Sequence, residues 1–314
     1  MRILVIGTVN LDVTARSFEK INMNDSNPGS VKTSFGGVGF NIARNLHGLG
    51  LKPEFISGFS DDIYGKSEWD YCRKLGLNTE NSQIIENSVS GQYVSIEDEN
   101  GEMVTAVCEA GILDRIDIDK IVSLLGELDE DDIAVIDSNY SKQQLERLIP
   151  ASKARIFVDP ISVAKAQRVR DVLGNITLLK PNRHEAEILT GIKCDDEKGQ
   201  IENIRVMLER GTRAVALTLG SEGVIASDGK SCWKLSCRED NVVSVSGAGD
   251  SFISGMVYGL AKGHDFAESL KLAQALSMIT LECETTVDET LSEEKLLAKR
   301  REIEERLRIR EIGL

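Results

Sequence analysis

Three short segments of this chain carry residue types suited to handling phosphate and hydroxyl groups. In SVSGAGDSFISGMVYGL, Gly247, Ala248 and Gly249 precede a stretch in which Phe252, Met256 and Leu260 recur at every fourth position, the spacing of one helix face. Bare amides and the positive dipole end of such a helix suit a phosphoryl group, and Asp250 projects from its first turn. A plain glycine turn followed by an ordinary first-turn acid fits the same letters. In SFGGVGFNIARNLHGLG, Gly36 and Gly37 open a second helix with Val38, Ile42, Leu46 and Leu49 on one stripe, or simply make a tight turn. Asn182 and Glu185, in NRHE, stand three apart at the start of a third helix. They share a face that could hold the water shell of Mg²⁺, and they also spell a capping box.

Two familiar nucleotide motifs are absent. Ser60 to Ser67 reads SDDIYGKS and ends like a phosphate-binding loop, but Ser60 replaces the first glycine. Asp61 and Asp62 would place two carboxylates where phosphates belong. The dinucleotide fingerprint fails because Ile42 and Phe252 occupy the place of its third small residue.

These segments need a scaffold, and the chain is long enough to supply one. Its 314 residues, 41% apolar and 28% charged, describe a globular protein that buries roughly 75% of its unfolded surface. Thirty-seven basic and fifty-one acidic side chains give a net charge of −14, which argues against nucleic acid and anionic membranes as partners. With no apolar run of about 18 residues and no signal pattern at the N-terminus, the expected location is the cytoplasm. Six cysteines and three histidines, His47, His184 and His264, show no zinc spacing, so free thiols in a reducing compartment are expected.

Apolar runs of strand length recur at Arg2 to Gly7, Phe55 to Ser57, Ile133 to Ile136, Ile156 to Val158, Ile176 to Leu179 and Ala214 to Leu217, separated by helical patterns. Such alternation predicts an α/β fold with a mostly parallel sheet between two helix layers. Asp12 to Ser34 is polar, and Gly91 to Val107 reads as a hairpin turning at Glu99-Asn100-Gly101. These two pieces, about 12–35 and 90–110, are expected to form a small β lid within a single domain spanning 1–314. Its exposed edges would suit a second subunit. Leu291 to Leu314 reads as a charged helix with a self-paired face, including Glu302 with Arg306.

Taken together, Gly36 and Gly37 running to Asn41, Asn182 with Glu185, and Gly247 to Asp250 resemble the signatures of the ribokinase-like (PfkB-type) carbohydrate and nucleoside kinases over the whole chain. Asp62 and Gly65 resemble that family's D-x-x-G. The resemblance implies a three-layer αβα fold and ATP with Mg²⁺ as co-substrate. Within the family, DSNPG at Asp25 to Gly29, GGVGFNIA at Gly36 to Ala43, GEM at Gly101 to Met103, FVDPIS at Phe157 to Ser162 and LKPNRHEAE at Leu179 to Glu187 resemble the branch acting on pseudouridine. That implies transfer to the 5′-hydroxyl of this nucleoside. Another sugar or nucleoside kinase, or a silent nucleoside-binding regulator, remains the alternative.

The resemblance also implies roles. Asp250 would be the catalytic base, with the amides of Gly247, Ala248 and Gly249 as an anion hole. A helix N-terminus is expected to pull its pKa down, leaving a weak base for a reaction that needs mainly orientation. Asp12, Gly36, Gly37 and Asn41 would grip the sugar, with Asn139 near the sugar or phosphate. Thr218, Gly220 and Gly223 would form the ATP-side loop, with Asn182 and Glu185 beside Mg²⁺. Lys180 would be a phosphate contact or an exposed strand-end lysine. Adenine would rest near Ala273 to Met278, unless that run is simple helix packing. Asn24, Ser26, Asn27 and Tyr93 of the lid are candidate base partners. Ser244 stands where many relatives carry an aspartate that helps to hold a monovalent-cation loop, so K⁺ stays an open question.

Overall fold

In a computed structural model describing residues 1–238 and 241–314, the apolar runs assemble into a central nine-stranded sheet. Its order is Arg308–Ile312, Cys232–Ser236, Val224–Ser227, Ala214–Thr218, Leu178–Leu179, Arg155–Asp159, Ile133–Asp137, Ile3–Ile6 and Glu54–Ile56. Neighbours from Ala214–Thr218 to Glu54–Ile56 run parallel, whereas the strands beyond Ala214–Thr218 at the other edge pair antiparallel. Parallel pairing demands crossovers, and the crossover helices cover both faces.

The two-residue period of the strands divides the core. Ile3, Val5, Ile133 and Val135 pack with the helices Val38–Gly48, Ala248–Ala261 and Phe266–Leu281. Leu4, Ile6, Ala134 and Ile136 pack on the opposite side with Ile118–Gly126, Lys142–Leu148, Arg183–Thr190 and Glu197–Glu209. Each buried valine, leucine or isoleucine among them contributes about 1.5–3 kcal/mol. The result is the expected three-layer αβα architecture.

A separate four-stranded sheet follows the order Gly29–Gly36, Asn10–Ser17, Gln92–Glu97 and Met103–Glu109. Gln92–Glu97 and Met103–Glu109 form an antiparallel hairpin, in whose turn the Asp98 carboxylate accepts from the amides of Asn100 and Glu102. Asn10–Ser17 follows the first core strand and pairs parallel to Gln92–Glu97, which attaches this sheet at the carboxyl end of that strand. Val31, Met103, Val104 and Val107 lie exposed on it.

The C-terminus departs from its helical expectation. A helix spans only Glu293–Glu302, and Arg308–Ile312 is an edge strand antiparallel to Cys232–Ser236. In RIREI, Ile309 and Ile312 are the half-buried positions, and the open edge of Cys232–Ser236 offers hydrogen bonds that a solvated helix cannot. The Glu302–Arg306 pair does form, at 2.9 Å, although Arg306 lies beyond the helix. In the Ser60–Ser67 segment, Asp62 caps the helix Ile63–Lys74 by accepting from the Gly65 amide at 2.8 Å. It also accepts from the Ser90 amide at 2.9 Å and hydroxyl at 2.6 Å, tying that helix to the start of the hairpin. Burial alone would raise its pKa, but these donors hold it well below the usual carboxylate range.

Glu68, on the same helix, is 1% exposed, and its Oε1 has no hydrogen-bond partner. Burial, reinforced by the charges of Asp62 and Asp12, pushes its carboxyl from 4.5 up to about 8. The folded chain therefore holds a proton that the unfolded chain releases, and stability falls as pH rises through that interval. Glu68→Gln removes this penalty while keeping the shape. Urea unfolding should show the variant more stable by about 3 kcal/mol at pH 7 and equal to the parent at pH 4. A difference that does not change with pH would contradict this.

Candidate active site

Two neighbouring parallel strands end in acids at the same level of the sheet. Asp137 closes Ile133–Asp137, Asp159 closes Arg155–Asp159, and the two are partners in register. Asp137 is buried and accepts from the Thr8 amide at 2.7 Å, the Thr8 hydroxyl at 3.2 Å, the Gly39 amide at 3.2 Å and the Asn139 amide at 3.0 Å. One carboxylate thus joins the exit of the first strand, the start of the helix Val38–Gly48 and the loop after its own strand. Burial raises its pKa against the pull of these donors.

Lys180 follows the strand Leu178–Leu179 and is buried, with Nζ 3.2 Å from Asp159 Oδ2. This sets aside an exposed strand-end lysine. Burial would discharge the ammonium, but the carboxylates of Asp159, Glu185 and Asp250 around it raise its pKa instead. A fixed positive charge therefore sits among three acids.

Asp250 lies in the first turn of the helix Ala248–Ala261 and is itself buried. Gly247 caps that helix with φ of 81°. A Cβ there would stand 2.2 Å from the Thr286 carbonyl oxygen, so both the conformation and the close approach require glycine. The Ala248 amide makes only a long 3.4 Å contact with the Val245 carbonyl. Asn41 Nδ2 donates to Asp250 Oδ2 at 2.8 Å, and Thr286 Oγ1 donates to Asn41 Oδ1 at 3.0 Å. Burial, then the negative charge of Asp159, pushes the Asp250 carboxyl up to about 7 against the opposing Asn41 hydrogen bond and Lys180 charge. The expected depression at a helix N-terminus is reversed, because desolvation outweighs the dipole. Asn41 is engaged at both ends of its amide, with Asp250 and Thr286.

Asp12 projects from the lid strand Asn10–Ser17, accepts from Asn10 Nδ2 and is pushed up to about 6 by burial. Gly36 lets it approach: a Cβ at that position would stand 1.9 Å from Asp12 Oδ2. Gly37 caps the helix Val38–Gly48 with φ of 107°. Asn139 donates to Thr8 Oγ1 at 2.9 Å and accepts from Lys165 Nζ at 2.5 Å. Tyr93 is the strand partner of Asp12 in register. Asn24 and Ser26 are exposed, while the Asn27 amide is engaged with Asn22 and Asp25 in its own loop.

Asn182 and Glu185 form the capping box in full. Glu185 Oε2 accepts from the Asn182 amide and Oε1 from Asn182 Nδ2, both at 2.8 Å, while Asn182 Oδ1 accepts from the Glu185 amide at 3.0 Å. Burial raises the Glu185 pKa. Thr218 adjoins this corner, its amide donating to the Pro181 carbonyl at 2.9 Å, and Gly220 and Gly223 make the turn beyond it. Among the described residues, no cluster of three His, Cys, Asp or Glu could cage a metal ion. Oxygen donors from Asn182 and Glu185 suit a hydrated Mg²⁺ carried by a nucleotide rather than a closed protein site. Ser244 accepts from the Ser246 amide at 3.2 Å. Ala273 to Met278 is buried, with Gly255 directly against Ala273, which favours the packing alternative for that run.

Thr8, Asp137, Asp159, Lys165 and Thr286 escaped the sequence reading. IAVID and RIFVD did carry a signal, an acid ending a buried parallel strand, where ligands of such sheets gather. Nothing in the sequence marked Thr286. Lys180→Met leaves Asp159 buried without its cation and should lower the urea-unfolding free energy by about 3–5 kcal/mol. Pairing it with Asp159→Leu should recover most of that, and a loss below about 1 kcal/mol for the single variant would contradict the buried pair.

Known proteins resemble this chain in sequence and in fold. The pattern of the pfkB family carbohydrate kinases matches residues 1–293. Pseudouridine kinase of Escherichia coli (strain K12) is 35% identical over 293 residues, covering 92% of this chain and 93% of that protein. The crystal structure of a Clostridium perfringens protein superposes with a TM-score of 0.85 at 33% identity, covering 100% of this chain and 99% of that one. Ribokinase of Giardia lamblia shares the fold, with a TM-score of 0.82 at 18% identity over 96% of this chain and 98% of its own. The chain belongs to the pfkB family of carbohydrate kinases.

Proposed function

We propose that this protein transfers the γ-phosphoryl group of ATP to the 5′-hydroxyl of pseudouridine. The observation that carries the chemistry is the buried Asp250, held near pH 7 at a glycine-opened helix start beside the Lys180 ammonium. The substrate reading is supported by the 35% identity to a pseudouridine kinase over most of both chains.

Asp250 accepts the proton of the 5′-hydroxyl as that oxygen attacks the γ-phosphorus. The new O–P bond forms as the bond from phosphorus to the ADP oxygen breaks. A base whose pKa lies near working pH suits this role better than a depressed carboxylate. The amides of Gly247, Ala248 and Gly249 stabilise charge on the transferring group, each well-placed donor contributing on the order of 3 kcal/mol. Lys180 adds a positive charge that it keeps, because the surrounding carboxylates raise its pKa. Asp12, for which Gly36 makes room, accepts from the vicinal ribose hydroxyls, Gly37 and Asn41 grip the sugar from the other side, and Asn139 lies near the sugar or phosphate. Thr218, Gly220 and Gly223 border the nucleotide. Asn182 and Glu185 would hold the water shell of the Mg²⁺ that accompanies ATP, an ion that neutralises phosphate charge.

Ser244 offers no carboxylate to a cation loop, which counts against activation by K⁺ without excluding it. The exposed apolar lid residues Val31, Met103, Val104 and Val107 favour a homodimer formed through the lid. Among the described residues no helix is long and apolar enough to cross a membrane.

The test is ATP consumption with Mg²⁺ against pseudouridine, uridine, cytidine, adenosine, ribose and fructose, with Asp250→Asn alongside. Turnover should be confined to pseudouridine, and the variant should lose about 10³-fold in kcat. Turnover on another nucleoside or a free sugar would move the substrate and keep the kinase. No turnover on any of them would favour a silent nucleoside-binding protein.

A further inference from the structure

Thr286 belongs to the loop between the helices Phe266–Leu281 and Glu293–Glu302, away from every glycine signature. Its backbone lies against Gly247, within the space a Cβ would need. The loop is fastened by Asp288, which accepts from the Thr290 amide and hydroxyl at 2.7 Å each and from Lys295 Nζ at 2.5 Å. So anchored, the Thr286 hydroxyl reaches Asn41 Oδ1 at 3.0 Å, while Asn41 Nδ2 reaches Asp250 Oδ2 at 2.8 Å. Asn41 is 4% exposed.

A primary amide has two chemically different ends, and only the NH₂ end can donate to a carboxylate. The ionised Asp250 carboxylate takes the NH₂ end of Asn41, and the Thr286 hydroxyl, donating to the carbonyl end, anchors the amide in that orientation from the other side. Without that hydroxyl the amide loses one of its two side-chain anchors, and its donation to the carboxylate slackens. We propose that Thr286 is a positioning residue for phosphoryl transfer: its hydroxyl orients the Asn41 amide so that Asn41 donates to, and aims, the Asp250 carboxylate. The inference rests on the reading of Asp250 as the base. It gives Asn41 a place in the machinery of that base, and it ties the loop carrying Asp288 and Lys295 to the reacting hydroxyl.

The charges facing Asp250 come from Asp159 and Asp137 at the strand ends and from Lys180, and substitution at Thr286 leaves all three in place. The helix Phe266–Leu281 contributes an uncharged Ser277 hydroxyl, which donates to the Ala248 carbonyl at 2.9 Å. Asn41 donation favours ionised Asp250, so losing its orientation moves the acid limb of activity to higher pH.

The experiment measures kcat and kcat/KM with MgATP and pseudouridine, or whichever acceptor the panel identifies, from about pH 5.5 to 9, for the parent, Thr286→Val, Thr286→Ser and Asp250→Asn. Thr286→Val should lower kcat about five-fold at pH 7, shift the acid limb up by about one pH unit and regain most activity at pH 9. Any rise in acceptor KM should be smaller than the fall in kcat, and Thr286→Ser should restore the parent profile. An unshifted limb, or a uniform loss that Thr286→Ser fails to repair, would overturn the proposal. If Asp250→Asn stays active, the base reading fails and this inference with it. If Asp250→Asn is inactive while Thr286→Val matches the parent, only this inference fails. Thr286→Ala, run through the same profile, replaces Thr286→Val should that variant not fold.

Discussion

A buried ammonium among buried carboxylates is the constraint around which this molecule is arranged. Lys180 cannot stay charged inside a protein without the acids of Asp159, Glu185 and Asp250, and those acids could not share one small volume without Lys180. Their attraction is strong because water is largely excluded, and for the same reason the loss of any member is expensive. The parallel sheet supplies the geometry. Strands of equal polarity bring their carboxyl ends to one rim, so Asp137, Asp159 and Lys180 arrive side by side from three consecutive strands.

Everything that closes on that rim does so through close backbone approach. The Asp12 carboxylate crowds Gly36, and the Thr286 carbonyl crowds Gly247. Two glycine-opened helices, Val38–Gly48 and Ala248–Ala261, thereby meet at the Asn41–Asp250 hydrogen bond, although the two residues are far apart in sequence. The small sheet follows the first core strand and brings Asp12 against Gly36, just before the first of these helices. Desolvation created by this convergence lifts the carboxyls of Asp250 and Asp12 toward neutral pH. Packing and proton chemistry are therefore one problem here: the contacts that shut out water also set which groups can take up a proton.

The architecture was legible because burial on both faces leaves continuous apolar runs, such as ILVI and IAVID, that few other structures need. The small second sheet was legible in the polar stretch and in the alternation around Gly101. The last strand was not: RIREI is charged enough to read as a helix face, and only the open edge of Cys232–Ser236 makes it a strand. At the site, the glycine signatures pointed to Asp250 because their local pattern is rare. Its proton affinity was illegible, since it depends on Asp159 and on burial by elements remote in sequence. Thr286 was invisible for a related reason. A threonine in a loop has no pattern of its own, and its meaning comes from touching Asn41 across most of the chain.

The central claim is that burial and Asp159 outweigh the helix start and hold the Asp250 carboxyl near neutrality. Carbon-13 NMR titration of aspartate carboxyls in the folded protein, assigned with Asp250→Asn, measures this directly. The account predicts a resonance that titrates at about 7 and vanishes in the variant. An Asp250 signal titrating near the ordinary 3.8 would contradict it, and would return the residue to the weakly basic first-turn acid that the sequence by itself suggests.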